Sequence, residues 1–261
     1  VPIPMSALRG DNIVEPGATM PWYHGPTLMG YLETVEIDAA RAQSGPLRLP
    51  VQWVNRPDLH FRGFTGMLAG GSVAPGDRIR VLPSGKESTV ERIVAHGGDL
   101  PLAVAGQSVT LTLTDEIDIS RGDMIVAAQS PAGVADQFDA TLVWMHEEPL
   151  LPGRPYLLKI GTTTVPAQVT DIKHQINVNT LEHLAAKRLE LNAIGECNLS
   201  VDRAIPFDPY TDNRDTGGFI LIDRMDNHTV GAGMLHFALR RSSNIHLQPL
   251  DVNKAVRTVS M

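Results

Sequence analysis

A glycine-rich stretch of the chain has a composition that could hold a phosphate group. It runs from Phe64 to Gly85, FTGMLAGGSVAPGDRIRVLPSG, and contains the pair Gly70 and Gly71. A phosphate loop needs a strand, glycines with converging N–H groups, and a helix whose positive end faces the anion. Here the pair leads into the turn APGD and then the alternating run RIRVL, so no helix is predicted. We therefore predict tight turns of a β-barrel, with the glycines supplying positive φ.

Other candidate groups have simpler structural interpretations. Ser72 in GGSVA approaches a nucleophile elbow, but an elbow also requires a following helix. HEEP at His146 is not the zinc motif H-E-x-x-H, and the acidic run DPYTDNRDTGG would place an arginine where calcium needs oxygen. We predict no catalytic residue and no metal ligand in this chain. Turn or capping roles are predicted for Asp208, Asp212 and Asp215.

Composition narrows the class of protein. The chain has 261 residues, of which 43% are apolar and 20% are charged, with a net charge of −7. Such a chain is globular, and its acidic balance argues against nucleic acid or an anionic membrane as the main partner. The one cysteine, Cys197, excludes an intramolecular disulfide and is predicted to be a small buried hydrophobe. Without an apolar run of spanning length or a signal peptide, we expect a cytoplasmic protein.

The elements that must position any site are mostly strands. One helix is predicted in GPTLMGYLETVEI, where Leu28, Tyr31, Leu32 and Val35 share one face. From Pro46 to about Ala128 the apolar period becomes two. The residues Leu47, Leu49, Val51 and Trp53 are predicted to share one strand face, as are Ile79 with Val81, and Val109 with Leu111 and Leu113. Turn signals recur between these runs, including RGD at 121–123, which indicates a closed antiparallel barrel.

A second set of strands follows the boundary-like segment SPAGVADQ. Its members are FDATLVWM, YLLKI, VPAQVTDIKHQI, ECNLSVDRAIPF and GFILID. TLEHLAAKRLEL, residues 180–191, interrupts them with helix-like spacing over a turn or two. The predicted fold is therefore all-β, with two consecutive antiparallel β-barrels after a connector that holds one helix. The predicted divisions are a connector 1–45, a first barrel 46–130, a second barrel 131–237 and a polar linker 238–261.

The order of these parts resembles GTPases of the elongation factor Tu type. In those proteins a SAL motif, here within SALRGDN, ends the nucleotide domain, and two β-barrels of the domain II and III type follow. Longer phrases narrow the resemblance to the large, GTPase subunit of bacterial sulfate adenylyltransferase: MPWYHGPTLMGYLETVEI, PVQWVNRPDLHFRGFTG, LTDEIDISRGDMIVA and NRDTGGFILIDRMDNHTVGAGML. The final ALRRSSNIHLQPLDVNKAVR resembles the connection to an adenylylsulfate kinase domain in bifunctional members and related nodulation proteins.

The resemblance implies a role in sulfate activation. ATP and sulfate give adenylyl sulfate and pyrophosphate on a separate small catalytic subunit, while GTP hydrolysis on the large subunit drives the reaction. It implies GTP and magnesium as cofactors of the full-length subunit, and none for this segment, because the phosphate loop, D-x-x-G and N-K-x-D are absent from these residues. The implied partners are the small subunit, the upstream GTPase domain and a downstream kinase domain.

One family site maps onto this chain by resemblance. Ser6, Ala7 and Leu8 correspond to the guanine-binding SAL motif, and the resemblance implies that a loop N–H, that of Ala7, contacts the guanine O6. Two other functions stay open: translation-factor barrels that bind transfer RNA, and a non-catalytic module that holds partner proteins together. The acidic balance disfavours RNA binding.

Overall fold

The computed structural model describes residues 2–35, 44–58 and 61–239, and the chain divides into two compact units, 1–41 and 42–261. Most of the predicted linker 238–261 therefore lies outside the described residues. In the first unit, helix α1 spans Leu28–Thr34, as predicted, and its N-cap Thr27 accepts a hydrogen bond from the Gly30 N–H. None of the α1 residues is buried. Within the described ranges, no helix combines the length and the apolarity needed to cross a membrane.

The second unit begins with a barrel of short antiparallel strands. They are β1 (Arg48–Pro50), β2 (Trp53–Asn55), β3 (Gly63–Met67), β4 (Ser72–Val73), β5 (Arg78–Leu82), β6 (Glu87–Ala95), β7 (Gly98–Asp99), β8 (Ala103–Val104), β9 (Ser108–Leu113) and β10 (Met124–Ala127). Hydrogen bonding follows the order β1-β10-β5-β6-β9-β3-β2. Since β1 and β2 are consecutive in the chain, the bend between them joins the two ends of this sheet.

The core of the first barrel confirms most of the predicted faces. Leu49, Val51, Ile79 and Val81 are fully buried. Trp53 was predicted to join them, and this prediction is wrong, because 62% of its surface is exposed. The chain bends after β1, which moves the next strand out of phase with a simple alternation. Val54 packs against the core in its place.

The second barrel is a closed ring of longer strands. Its elements are β11 (Gly133–Trp144), β12 (Pro155–Ile160), β13 (Thr163–Ile176), β14 (His183–Leu184), β15 (Ile194–Phe207), the short helix α2 (Arg214–Gly217), β16 (Gly218–Asp223) and β17 (Thr229–Ala238). Hydrogen bonding follows the order β12-β16-β17-β11-β15-β13, and β13 pairs again with β12. Phe138, Leu142, Trp144 and Tyr156 fill the centre of this ring. The predicted pair of antiparallel barrels is confirmed.

Two features of the second barrel differ from the sequence prediction. Residues 180–191 contain no helix; they form turns around β14, so the helix-like spacing was misleading. Strand β17 was not predicted, because Gly231 and Gly233 interrupt its apolar alternation. A Cβ atom at Gly233 would collide with the Phe219 ring, whereas one at Gly231 would lie 3.2 Å from the Val143 carbonyl oxygen. Glycine is needed at position 233 so that the Phe219 ring can occupy the core.

Candidate functional site

The junction between the two barrels is built around Arg48 on β1. Its side chain is buried, and its Nε and Nη2 atoms donate to the Asp208 carboxylate over 2.8 and 2.9 Å. The Nη1 atom donates to the carbonyl oxygens of Leu47 and Ser130. All three nitrogen atoms of the Arg48 guanidinium therefore donate hydrogen bonds. The bidentate guanidinium–carboxylate pair connects the first barrel to the end of β15.

Asp208 and Asn213 complete the polar side of the junction. Asp208 also accepts a hydrogen bond from Thr216 Oγ1 over 2.8 Å. Asn213 caps α2 by accepting the backbone N–H of Thr216, while its Nδ2 donates to the Ala69 carbonyl in the first barrel. A Cβ atom at Gly70 would lie 3.1 Å from that nitrogen, so the absence of a side chain permits the approach.

The prediction of turn or capping roles is confirmed for Asp212, which lies in a turn, and needs correction for Asp208 and Asp215. Asp215 lies in the first turn of α2, but Asn213 is the capping residue. Asp208 belongs to a buried ion pair rather than to a turn. A buried pair between residues 160 positions apart leaves no local sequence signal, because the two partners lie in separate segments and aspartate is common in turns as well.

A second contact joins the barrels at the RGD turn. The RGD segment forms a turn, as predicted, and Gly122 within it has φ +97°. The turn does not close a hairpin, because β10 pairs with β1 and β5 and not with β9. The Gly122 carbonyl accepts a hydrogen bond from Thr163 Oγ1 over 2.7 Å. The cavity beside this contact has a volume of only about 10 Å³. That space has no room for a ligand. This contact therefore serves to hold the two barrels together.

The segment predicted to contact guanine, Ser6, Ala7 and Leu8, forms a compact turn in the first unit. The Gly10 N–H donates to the Ser6 carbonyl over 2.8 Å, and Ser6 pairs with Asp11 across the turn. Ala7 and Leu8 are exposed at its tip. Within residues 2–35, neither the Ala7 N–H nor the Leu8 N–H donates a hydrogen bond. The turn therefore presents free backbone donors of the kind that a base edge needs.

Asn12 holds this turn in position. It is buried, with φ +58°, and its Nδ2 donates to the Pro4 carbonyl while its Oδ1 accepts the Gly17 N–H. Its carbonyl accepts the Leu28 N–H at the start of α1. Sequence reasoning did not single out Asn12, although asparagine is the residue type that best tolerates positive φ after glycine. Asn12 thus contacts the turn through its side chain and the start of the helix through its backbone carbonyl.

The glycine pair and the serine after it do not form a nucleotide site. Gly71 has φ +70°, and β4, which begins at Ser72, follows it directly in place of a helix. The predicted turn role is confirmed for Gly71. A phosphate loop and a nucleophile elbow are both excluded here, since each depends on the N-terminus of a helix.

The cysteine and histidines provide no metal site in the described residues. Burial raises the pKa of the Cys197 thiol to about 12, and the nearby carboxylates of Asp171 and Asp139 add to the shift. Such a thiol is inert at neutral pH, which fits the predicted structural role. His146 accepts the Glu148 N–H at Nδ1. Across the described ranges, no group of three or more His, Cys, Asp or Glu side chains is arranged to hold a metal.

Comparison with known proteins defines the class first. The profile of the GTP-eEF1A C-terminal domain-like family matches residues 137–236. Among solved structures, Sup35 complexed with GDP aligns with a TM-score of 0.70, covering 91% of this chain and 58% of the Sup35 chain at 20% identity. At this identity the likeness establishes the fold alone. The fold is that of the paired barrels of translation GTPases.

Relatives in sequence are more specific. The chain is 56% identical over 98% of its length to the bifunctional enzyme NodQ of Rhizobium sp. (strain N33), and 54% identical over 98% to the bifunctional enzyme CysN/CysC of Xylella fastidiosa. It is 52% identical over 90% of its length to sulfate adenylyltransferase subunit 1 of Laribacter hongkongensis. It spans 40%, 41% and 49% of the length of these three proteins. The chain is thus a homologue of one part of the sulfate adenylyltransferase large subunit, as its sequence predicted.

Proposed function

We propose that this chain supplies the two β-barrels of a GTP-dependent large subunit of sulfate adenylyltransferase. The whole enzyme would convert ATP and sulfate to adenylyl sulfate and pyrophosphate. The observation that carries the proposal is identity of 52% or more to NodQ, CysN/CysC and subunit 1 over at least 90% of the chain. Catalysis of adenylyl transfer belongs, in this proposal, to a small subunit in the cytoplasm.

The role of the barrels would be to couple two parts of the enzyme. A switch in a nucleotide domain reaches a partner only through elements that contact its two states differently. The Arg48–Asp208 pair and the Thr163–Gly122 hydrogen bond support such a role, since they connect the two barrels through polar contacts. Polar contacts with full partners resist the small rotations that a flexible linker would permit.

GTP and magnesium would bind mainly to parts of the protein beyond this chain. Bound there, the γ-phosphate and its metal ion would supply the energy of the switch. The residues of this chain fit one portion of the nucleotide, because the exposed Ala7 and Leu8 N–H groups suit the guanine O6. We place the guanine contact at Ser6, Ala7 and Leu8. An upstream GTPase domain and a downstream adenylylsulfate kinase domain would complete the polypeptide.

Reconstitution of the full-length subunit tests the proposed activity. The subunit is combined with the small subunit, ATP, sulfate and pyrophosphatase, and adenylyl sulfate is measured with GTP or with a non-hydrolysable analogue. We expect product formation that depends on GTP hydrolysis. If the subunits associate but GTP has no effect, the chain is a docking module. Salt-dependent binding to transfer RNA instead would favour the translation-factor function.

A proline substitution tests the guanine contact. Ala7→Pro in the full-length subunit removes the N–H, whereas the control Ala7→Gly keeps it. Loss of one hydrogen bond to a buried acceptor predicts about tenfold weaker GTP binding for Ala7→Pro. The control is expected to bind GTP normally in equilibrium dialysis. Equal affinity of both variants would contradict the assignment of Ala7.

A further inference from the structure

The outer face of the second barrel carries a continuous row of apolar residues. Adjacent strands align Ile220 with Ala232, Ala232 with Val143, Val143 with Ile194, and Ile194 with Ile176. We call these five residues the apolar strip. At a spacing of about 4.8 Å per strand, the strip extends for about 19 Å across the barrel.

The fold does not require this face to be apolar. The strip residues alternate with core residues: Ile220 lies between the buried Phe219 and Leu221, so its side chain points outward. On the same outer surface, β13 and β15 carry polar residues where they pair away from the strip, including Gln168, which is opposite Ser200. The outer surface away from the strip is thus adapted to water.

Two concave regions lie along the strip. A cavity of about 570 Å³ is lined by Ile220, Ala232 and Val143 at one end. A second, of about 290 Å³, is lined by Ile194 and Ile176 at the other. Ile194 is aligned with Val143, so the strip connects the two cavities without interruption. The first cavity is mainly apolar, whereas Gln175, Asn177, Glu190 and Asn192 also line the second. Concave surface of this kind accommodates protruding side chains of another protein.

The loop beyond the second cavity adds exposed apolar side chains. Val178, Leu181, Leu184 and Leu191 are 60%, 73%, 43% and 46% exposed. Leu181 has φ +61°, an uncommon conformation for a leucine. The loop is held by Asn177, whose Oδ1 accepts the Asn179 N–H and whose carbonyl accepts the Leu181 N–H. Backbone strain held at an exposed apolar residue indicates a binding role.

Positive charge near the Ile220 end of the apolar strip indicates the chemistry of the protein that would bind there. Lys159 is aligned with Ile220, and Arg214 lines the same cavity, together with Asp215. Among the described residues, neither cation forms a salt bridge, whereas Arg48, Arg92 and Lys173 all do. A complementary surface would be apolar at its centre and acidic opposite Lys159 and Arg214.

We propose that the apolar strip, with the 177–192 loop, is the docking surface for the second protein subunit of the enzyme. The partner presents aliphatic or aromatic side chains to the two cavities and carboxylates to Lys159 and Arg214. The inference rests on the proposed function, since it names the surface by which that complex forms. A partner that binds the second barrel would also be connected, through the junction, to the first barrel.

Matched variants of the full-length large subunit test the docking surface. Ala232→Glu places a carboxylate within the apolar strip, and the control Gln168→Glu places the same side chain on the polar outer surface away from it. Binding to the small subunit is measured by isothermal titration calorimetry, and folding by circular dichroism. We expect Ala232→Glu to weaken binding by about tenfold or more, because its carboxylate would oppose the carboxylates that the partner presents to this cavity. Gln168→Glu should bind like the unmodified protein.

Two further variants test the loop and the charges. Leu181→Asn removes the apolar side chain but keeps a residue that tolerates positive φ, so weaker binding would report lost contact rather than a changed backbone. Lys159→Glu should weaken binding most at low ionic strength, where opposite charges are least screened. Weaker binding in both cases supports the proposed partner chemistry.

The outcomes separate this inference from the proposed function. If the unmodified subunit does not bind the small subunit, the proposed function fails. If it binds, and Ala232→Glu binds equally well, the strip is not the docking surface while the function stands. A change confined to self-association in sedimentation velocity would identify a second copy as the occupant and overturn the proposal. A change confined to GTP affinity would do the same in favour of the nucleotide domain.

Discussion

The junction and the apolar strip distribute polarity in opposite ways. At the junction, Arg48 and Asp208 are charged and buried, and nearly every polar atom has a partner. On the apolar strip, Ile220 and Val143 are apolar and face outward. Water is therefore excluded from the charged groups at the junction, whereas it contacts apolar side chains on the apolar strip.

The difference indicates two kinds of association. A buried ion pair costs desolvation energy that only exact hydrogen bonding offsets, so it suits a contact that forms once, during folding. An apolar surface tolerates exposure and gains free energy when a partner covers it, so it suits a contact that forms between separate molecules. Substitutions at the junction should therefore change stability. Substitutions on the strip should change binding.

Removing the carboxylate of the junction should have the largest effect. Asp208→Ala leaves the Arg48 guanidinium buried without its counter-charge and should lower the free energy of unfolding by about 3–5 kcal/mol. Urea denaturation followed by circular dichroism measures this value. Two separate transitions would show that the barrels unfold independently once the pair is lost. A loss below about 1 kcal/mol would contradict the importance of the ion pair.

Removing the second contact should have a smaller effect. Thr163→Val leaves the Gly122 carbonyl without its side-chain donor, which should cost about 1–3 kcal/mol in the same denaturation experiment. Thr164→Val, on the exposed neighbouring position, is the control and should be close to neutral. Equal losses of stability for the two substitutions would show that the Thr163–Gly122 hydrogen bond does not stabilise the junction.

An intermediate case sharpens the role of burial. Asp223 is buried, but the side chain of its partner Arg154 is 38% exposed. The Met225 N–H, followed by Arg154, holds the pKa of the Asp223 carboxyl below its ordinary value. Its stabilisation is therefore complete above the unfolded pKa of about 3.9 and is lost as the pH falls through the lower folded value.

Asp223→Asn should accordingly cost about 1 kcal/mol at pH 6, less than Asp208→Ala. The difference from the unmodified protein should disappear as the pH is lowered below 4. Thermal melts between pH 6 and pH 3 measure it. A difference that grows on acidification would contradict the stated cause of the pKa shift.

The strip should give the smallest effect on stability. Ala232→Glu changes an outward-facing position and should alter the free energy of unfolding by about 0.5 kcal/mol or less. Denaturation midpoints of this variant and of Gln168→Glu are compared. A loss as large as that of Asp208→Ala would show that the strip is part of the folded core, and the contrast between the two surfaces would not hold.

Local patterns predicted the strands better than they predicted the contacts between them. Period-two alternation is a property of one strand, so Ile79 and Val81 were placed correctly in the core. Trp53 was misplaced because a bend changes the phase within a few residues. β17 was missed because Gly231 and Gly233 carry no side chain, and the reason for Gly233 lies on another strand, at Phe219.

The candidate sites divide in the same way. Ser6, Ala7 and Leu8 were found by resemblance to a motif, and their guanine contact stays a prediction, as do the domain boundaries. The Arg48–Asp208 pair was not found, since two residues 160 positions apart show nothing of their contact in either local segment. The two roles of Asn213, as cap of α2 and as donor to Ala69, likewise depend on the packing of one barrel on the other.

The amino-acid sequence by itself determined the all-β class, the helix at 28–34, the inert cysteine and the likeness to sulfate adenylyltransferase, because each depends on neighbouring residues or on continuous motifs. Only the tertiary structure decided which polar residues join the barrels and which outward residues form one apolar strip. Both depend on register between distant strands. If the register shifted by one residue, side chains of the strip would point into the barrel and would no longer lie next to one another.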